Sequence, residues 1–248
     1  ALVRPMISWR DNRPTEELAF VREHIGANRF HAVTKLPLGA IWIVNKILWL
    51  RNHEPENWER VRRIVQLQDY FLRAYGADEY WIDTCDAGLF GCWDLYADAW
   101  STEICNALEI DTTMLPKPAR PGTVVGRIPR AVAEKTGLTA DTPICVGAGD
   151  QNAAAIGAGL IEPGMMSVSL GTGGLAAAFV DGALPEPDPQ AMLTAHAMPG
   201  KYMLEGYQPA GASALRWLRD QVTHAEITAA ETTGRDVYDL LTDLAAAA

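Results

Sequence analysis

Thr142-Pro143-Ile144-Cys145-Val146-Gly147-Ala148-Gly149-Asp150-Gln151 reads as a short apolar strand, a glycine turn and the head of a helix. Ile144 to Val146 suit a buried strand, the glycines break it, and Asn152 to Leu160 follows as a helix of small residues. In α/β sheets ligands gather at the carboxyl ends of strands, so Asp150 stands where a catalytic carboxylate belongs. The same position suits an N-cap, an Asp that accepts a backbone N–H of the helix it precedes. Position alone leaves both readings open.

Downstream, Met165–Leu170 and Leu175–Val180 are apolar runs around Gly171-Thr172-Gly173-Gly174, a pattern that predicts a hairpin. A glycine tip exposes backbone N–H groups, Thr172 adds a hydroxyl, and together they can cradle phosphate oxygens. An ordinary tight turn uses glycine in the same way. The chain has no G-x-x-x-x-G-K-[ST] loop. Asp181 to Pro189 is a polar, proline-rich loop, and Lys201 to Gly206 is a further strand candidate. Ala210-Gly211-Ala212-Ser213 opens a helix marked by Leu215, Leu218 and Val222. Such a start can face a phosphate or simply pack closely on a sheet. Val237, Leu240, Leu241 and Leu244 mark a last helix.

Upstream, Met6 to Trp9 reads as a strand end, and Pro14-Thr15-Glu16-Glu17 as a helix start carrying Leu18, Val21 and Ile25 to a stop at Gly26. Residues 40–51 are apolar nearly all round, which predicts a buried helix. The pattern continues helical over 57–75 to Gly76. Residues 78–97 are aromatic and acidic with little periodicity. Trp100, Ile104 and Leu108 are spaced as a helix, Leu115 to Gly122 as a loop, Thr123 to Ile128 as a strand and 130–136 as a short helix closed by Gly137. Trp9-Arg10-Asp11-Asn12-Arg13 joins an aromatic face, suited to the apolar side of a sugar, to charges suited to its hydroxyls. A packed Trp beside a surface ion pair gives the same letters. Trp42, Trp49, Trp58, Trp81, Trp93 and Trp100 are expected to pack in the core.

The 248 residues suffice for one large domain or two small ones. A formal charge of −10 argues against a nucleic-acid surface. No run of apolar residues is long enough for a membrane span. Cys85, Cys92, Cys105 and Cys145 form no C-x-x-C, and the histidines show no ligand spacing, so neither a disulfide framework nor a metal site is expected. Both ends read as cut.

In order along the chain, these segments resemble the FGGY family of carbohydrate kinases, and within it the xylulose kinase branch. Trp9-Arg-Asp11-Asn-Arg13 resembles its W-x-D-x-R segment. Lys46-Ile-Leu-Trp49 resembles the second half of its K-x-x-W signature. Asp69-Tyr70, Asp83 with Asp86-Ala87, and Asp94-Leu95 resemble its helical insertion. Val146 to Gly159 resembles the segment of its catalytic aspartate, Ser169 to Gly174 its second phosphate loop, and Gly211 to Asp220 its nucleotide-side helix. The resemblance implies an α/β, actin-like ATPase (ribonuclease H-like) two-domain fold, incomplete here, with a helical insertion. Residues 1–163 would belong to the first, sugar-binding domain and 164–248 to the second, nucleotide-side domain. It also implies phosphoryl transfer from Mg2+·ATP to a sugar or polyol hydroxyl, a pentulose such as xylulose being the first choice. Asp150 is then the general base. Trp9, Asp11, Arg13 and Gln151 hold the sugar, and Gly171, Thr172, Gly173 and Gly211 the nucleotide. A cytoplasmic location and a homodimer go with this reading. The family's Asp-x-Gly-Thr phosphate loop and its late glycine-rich adenine segment do not occur in the sequence. A fragment that binds a sugar or a partner without catalysis therefore stands as the alternative. An actin- or chaperone-like nucleotide switch fits the sugar-type segment less well.

Overall fold

The computed structural model describes residues 2–171, 173–184, 188–208 and 210–247. The chain forms two compact units: Ala1–Met166 with Ala178–Glu205, and Ser167–Ala177 with Gly206–Ala248.

The first unit begins without regular structure. Met6 to Trp9 is not a strand: the Asp11 N–H turns back to the Ser8 carbonyl at 3.1 Å, a local bond that needs no ladder. Helices α1 (Thr15–His24), α2 (Ala27–Thr34) and α3 (Ile43–His53) follow. The apolar run at 40–51 does give a buried helix, with Val44, Ile47 and Leu48 in the core. Its polar members are answered locally, Asn45 Nδ2 by the Gly39 carbonyl at 3.0 Å and Lys46 Nζ by the Ile41 carbonyl at 2.6 Å. Burying either group without such a partner would be costly.

The expected helix over 57–75 is broken. Helix α4 spans only Pro55–Trp58, and α5 starts at Leu67 and ends at Tyr75. Between them the Ile64 N–H bonds to the Met114 carbonyl. Asp69 Oδ2 accepts the Gln66 N–H at 2.7 Å, the reciprocal cap that starts a new helix there.

Strand β1 (Trp81–Asp83) pairs in parallel with β4 (Lys117–Ala119), opposing Asp83 to Ala119. Three prolines made 115–122 read as a loop, yet the strand needs only this one partner, and the edge tolerates Pro118. Asp83 ends β1 and caps α6 (Thr84–Gly88), accepting the N–H groups of Cys85 and Asp86. Trp100 is not helical: β2 (Trp93–Asp94) pairs with β3 (Ala99–Trp100), and Ser101 caps α7 (Thr102–Ala107) after it. The main core joins Val21, Phe30, Val44, Leu48, Phe90, Trp93, Ile104 and Leu108 from these elements.

After a 3-10 turn at Thr112–Met114, β5 (Val124–Arg127) and β6 (Pro143–Cys145) pair antiparallel across a bulge. Helix α8 (Arg130–Thr136) lies between them and closes on Gly137 in the left-handed region at φ +75°. Val125, Ile128, Ile144 and Val146 form a second core cluster with Ala77 and Ala133. Each fully buried aliphatic side chain of this kind contributes roughly 1.5–3 kcal/mol. Helix α9 (Asp150–Gly157) then opens directly after the glycine turn.

Strands β7 (Met166–Leu170) and β8 (Gly174–Val180) flank the glycine tip, in agreement with the hairpin pattern. With β9 (Met192–Ala195), which the periodicity had not announced, and β10 (Tyr202–Gln208), they form a sheet of order β7-β8-β10-β9. Helices α10 (Ala212–Val222), α11 (His224–Thr233) and α12 (Val237–Ala247) follow, all within the second unit. Among the described residues no helix is long and apolar enough to cross a membrane, and no group of three His, Cys, Asp or Glu could hold a metal ion.

Candidate active site

Asp150 is the first residue of α9, and Gly149 occupies the N-cap position. The cap reading of this aspartate is thereby replaced. Its Oδ1 accepts only the adjacent Gln151 N–H, at 2.7 Å, and its side chain is exposed. It sits where the helix dipole favours negative charge. Gln151 is exposed beside it, while Asn152 turns inward and donates to the Ala195 carbonyl at 2.6 Å.

The floor under this helix start is acidic. A Cβ on Gly149 would stand 2.8 Å from Asp86 Oδ1 and 2.6 Å from Asn152 Oδ1, so only glycine fits. Burial and the nearby Asp83 and Asp86 charges push the Cys85 thiol up, with the Gly149 backbone opposing that shift. Asp83 is buried and multiply bonded, taking the N–H groups of Cys85 and Asp86 on one oxygen and Gln68 Nε2 on the other at 2.6 Å. Asp86 shares a hydrogen bond with it. Burial first, then the Asp83, Asp69 and Asp150 charges, push Asp86 up to about 8. Burial likewise lifts Asp69 to about 7.

The Trp9–Arg13 segment divides. Trp9 is 60% exposed, and the Arg10 guanidinium lies 5.9 Å from its ring. Asp11 and Arg13 form a two-pronged pair, Arg13 Nε standing 2.9 Å from both carboxylate oxygens. The Arg13 hydrogen bonds hold Asp11 below the usual carboxylate range. The Arg13 guanidinium in turn lies 4.7 Å over the ring of Trp49, with Arg4 at 5.4 Å from the same ring. Trp49 therefore differs from the expectation of plain core packing: it is a half-buried platform for two cations. Trp42 and Trp93 are buried as expected, and Trp58 and Trp100 pack partly buried against the core. Lys46, on the same helix as Trp49, has its pKa lowered by burial, with the Asp11 charge opposing that shift. Its spacing to Trp49 was visible in the sequence, but its place near Asp11 was not.

In the second unit Gly171, Gly173, Gly174 and Gly211 come together. The Gly171 N–H bonds to the Gly173 carbonyl at 2.9 Å, and the Ala212 N–H to the Gly171 carbonyl at 2.8 Å. A Cβ on Gly211 would lie 2.5 Å from the Gly173 carbonyl carbon and 2.6 Å from the Gly174 nitrogen. Tyr207 adds a ring that a Cβ on Gly173 would meet at 2.9 Å, a neighbour that no sequence signal had marked. Thr172 lies outside the described residues.

A profile of the FGGY family of carbohydrate kinases, N-terminal domain, matches residues 1–157. The chain belongs to this family. It is 27% identical over 239 residues to an autoinducer-2 kinase of Enterobacter sp. (strain 638), covering 96% of this FGGY chain and 45% of that protein. It is 26% identical to a gluconokinase of Bacillus subtilis (strain 168), covering 97% and 47%. The crystal structure of a xylulose kinase from Rhodospirillum rubrum superposes with a TM-score of 0.85 at 27% identity, covering 98% of this FGGY chain and 48% of that one. The architecture is thus the mixed α/β, actin-like ATPase fold of FGGY sugar kinases, and the chain spans about half the length of the curated relatives it matches.

Proposed function

We propose that the full-length protein phosphorylates a hydroxyl of a small sugar or polyol with Mg2+·ATP, and that Asp150 is the general base. The observation that carries this is the placement of Asp150: an exposed side chain at a helix head whose hydrogen bond among the described residues is to its own turn. Asp11, braced by Arg13 over Trp49, and exposed Trp9 and Gln151 are the sugar contacts. The backbone of Gly171 and Gly173, with Thr172, receives the phosphates, and Gly211 lies close to the nucleotide. Gly173 and Gly211 pack backbone against backbone there, a compact glycine tip of the kind that suits a phosphate group. No protein ligand is assigned to Mg2+, which would arrive with the nucleotide and neutralise its developing charge.

In this reading residues 1–163 are the sugar-side part and 164–248 the nucleotide-side part. The first departure of the chain from its larger unit after Met166 supports that boundary, although Ala178–Glu205 returns to it. The site of action is the cytoplasm. The 248-residue chain by itself would bind sugar without turnover, because the Asp-x-Gly-Thr loop is not in its sequence.

Relatives acting on autoinducer-2, gluconate and xylulose leave the acceptor open, with a pentulose preferred. A panel of pentuloses, polyols and gluconate with the full-length protein and Mg2+·ATP tests the reading. Turnover of one acceptor, lost in Asp150→Asn, supports it. No turnover of any, with sugar binding retained by calorimetry, favours a non-catalytic binding protein.

A further inference from the structure

Asp86 touches no proposed substrate group, yet it lies against the backbone that leads into Asp150. Three side chains shape that approach. Gln68 Oε1 stands 3.0 Å from where a Cβ of Gly147 would be, and Asn152 Oδ1 and Asp86 Oδ1 stand 2.6 and 2.8 Å from where a Cβ of Gly149 would be. Gln66 Nε2 reaches the Asp86 carbonyl at 3.3 Å and ties α5 to the same floor. Asn152 secures the other side of the helix start through the Ala195 carbonyl.

We propose that Asp86 is a positioning residue for Asp150: its carboxyl group, packed against Gly149, forms the seat that fixes Gly149 and hence the first residue of α9. The proposal rests on the assignment of Asp150 as base. Asp83 has both oxygens already taken by N–H donors. Burial and the neighbouring acids push Asp86 up, which favours its neutral form. A neutral acid under Gly149 adds no charge to the helix head. An ionised Asp86 would repel both Asp83 and Asp150. The groups facing Asp86 are acidic or neutral: Asp69 from α5, Asp83 at the end of β1, Cys85 on its own helix and Asp150 from α9. Charges on the packed strands are engaged elsewhere. Asp94 of β2 accepts the N–H groups of Tyr96 and Ala97, Lys117 of β4 lies over Trp81, and β9 carries no charged residue.

Two substitutions separate seat from filler. Asp86→Asn keeps the shape and the polar tip against Gly149, whereas Asp86→Leu keeps bulk and loses the polar tip. In the full-length protein the Asn variant is expected to hold kcat within about threefold, and the Leu variant to lose at least roughly tenfold, with KM for sugar and ATP unchanged. Equal kcat in wild type and Asp86→Leu would overturn the proposal, as would an Asn variant as impaired as the Leu variant. A second measurement stands apart from catalysis. With 13C-carboxyl-labelled aspartate, Asp150→Asn should lower the titration midpoint of Asp86, because a facing negative charge is gone. An unmoved midpoint refutes the contact. A lowered midpoint with undiminished turnover in Asp150→Asn would keep the seat and refute the base assignment instead.

Discussion

Gly211 is pressed against Gly173 so closely that a methyl group on it would stand 2.5 Å from the Gly173 carbonyl carbon. The obstacle is backbone on both sides, which cannot swing away as a side chain can. Gly211→Ala must therefore displace the glycine tip or the start of α10. Overpacking of this kind costs about 1–3 kcal/mol. The expected outcome is a lower urea midpoint together with Mg2+·ATP binding weakened in calorimetry of the full-length protein. Wild-type values for both would mean that the tip tolerates a shift and carries no phosphate.

Asp150→Asn removes the proton acceptor and keeps the shape. A positioned base contributes about 10²- to 10⁴-fold, so kcat of the full-length protein should fall by at least 10²-fold while KM for the sugar changes little. Turnover near the wild-type rate would end the assignment.

The pair Asp11–Arg13 leans on Trp49, whose ring lies 4.7 Å from the guanidinium. Trp49→Leu removes that face, worth about 0.5–1 kcal/mol at a part-exposed site, and frees Arg13 to wander. Sugar KM should rise severalfold with kcat nearly constant. Arg13→Lys should act in the same direction, since an ammonium cannot make the two-pronged contact. An unaltered KM in both variants would remove this pair from the sugar contacts.

Asp69 and Glu205 are buried, and burial lifts each to about 7 in the folded state. The unfolded chain ionises them near the ordinary carboxylate values. Between those limits the folded state holds more protons, so stability falls as pH rises, by up to roughly 1.4 kcal/mol per pH unit for each group. His31 and His196, lowered by burial, act oppositely, and their contribution is lost on acidification below the ordinary histidine value. Above the ordinary histidine value of 6.5 the imidazole contribution is complete and the carboxyl decline is unopposed, so the melting temperature should fall between pH 6.5 and 7. Asp69→Asn and Glu205→Gln should each flatten the decline on the alkaline side. A decline with the same slope in both variants would show that neither residue keeps its proton.

Much of the site was legible locally. The strand–glycine–helix order around Asp150, the hairpin around the glycine tip, the buried helix carrying Lys46 and Trp49, and the stop at Gly137 all follow from periodicity and from what glycine permits. Where local reading failed, a long-range partner had intervened. The helix expected over 57–75 broke because Met114 took the Ile64 N–H. The proline-rich loop at 117–119 became a strand because β1 offered it an edge.

By itself the sequence determined the family, the order of its segments and which short stretches could carry chemistry, since those rest on residue type and spacing along the chain. Only the tertiary structure decided that Gly149, not Asp150, takes the cap position, that Trp49 carries two guanidinium groups, and that Asp83 and Asp86 share a floor beneath α9. The physical reason is that steric exclusion and charge act through space over a few ångströms, and the residues they join here are separated by tens of positions in the chain.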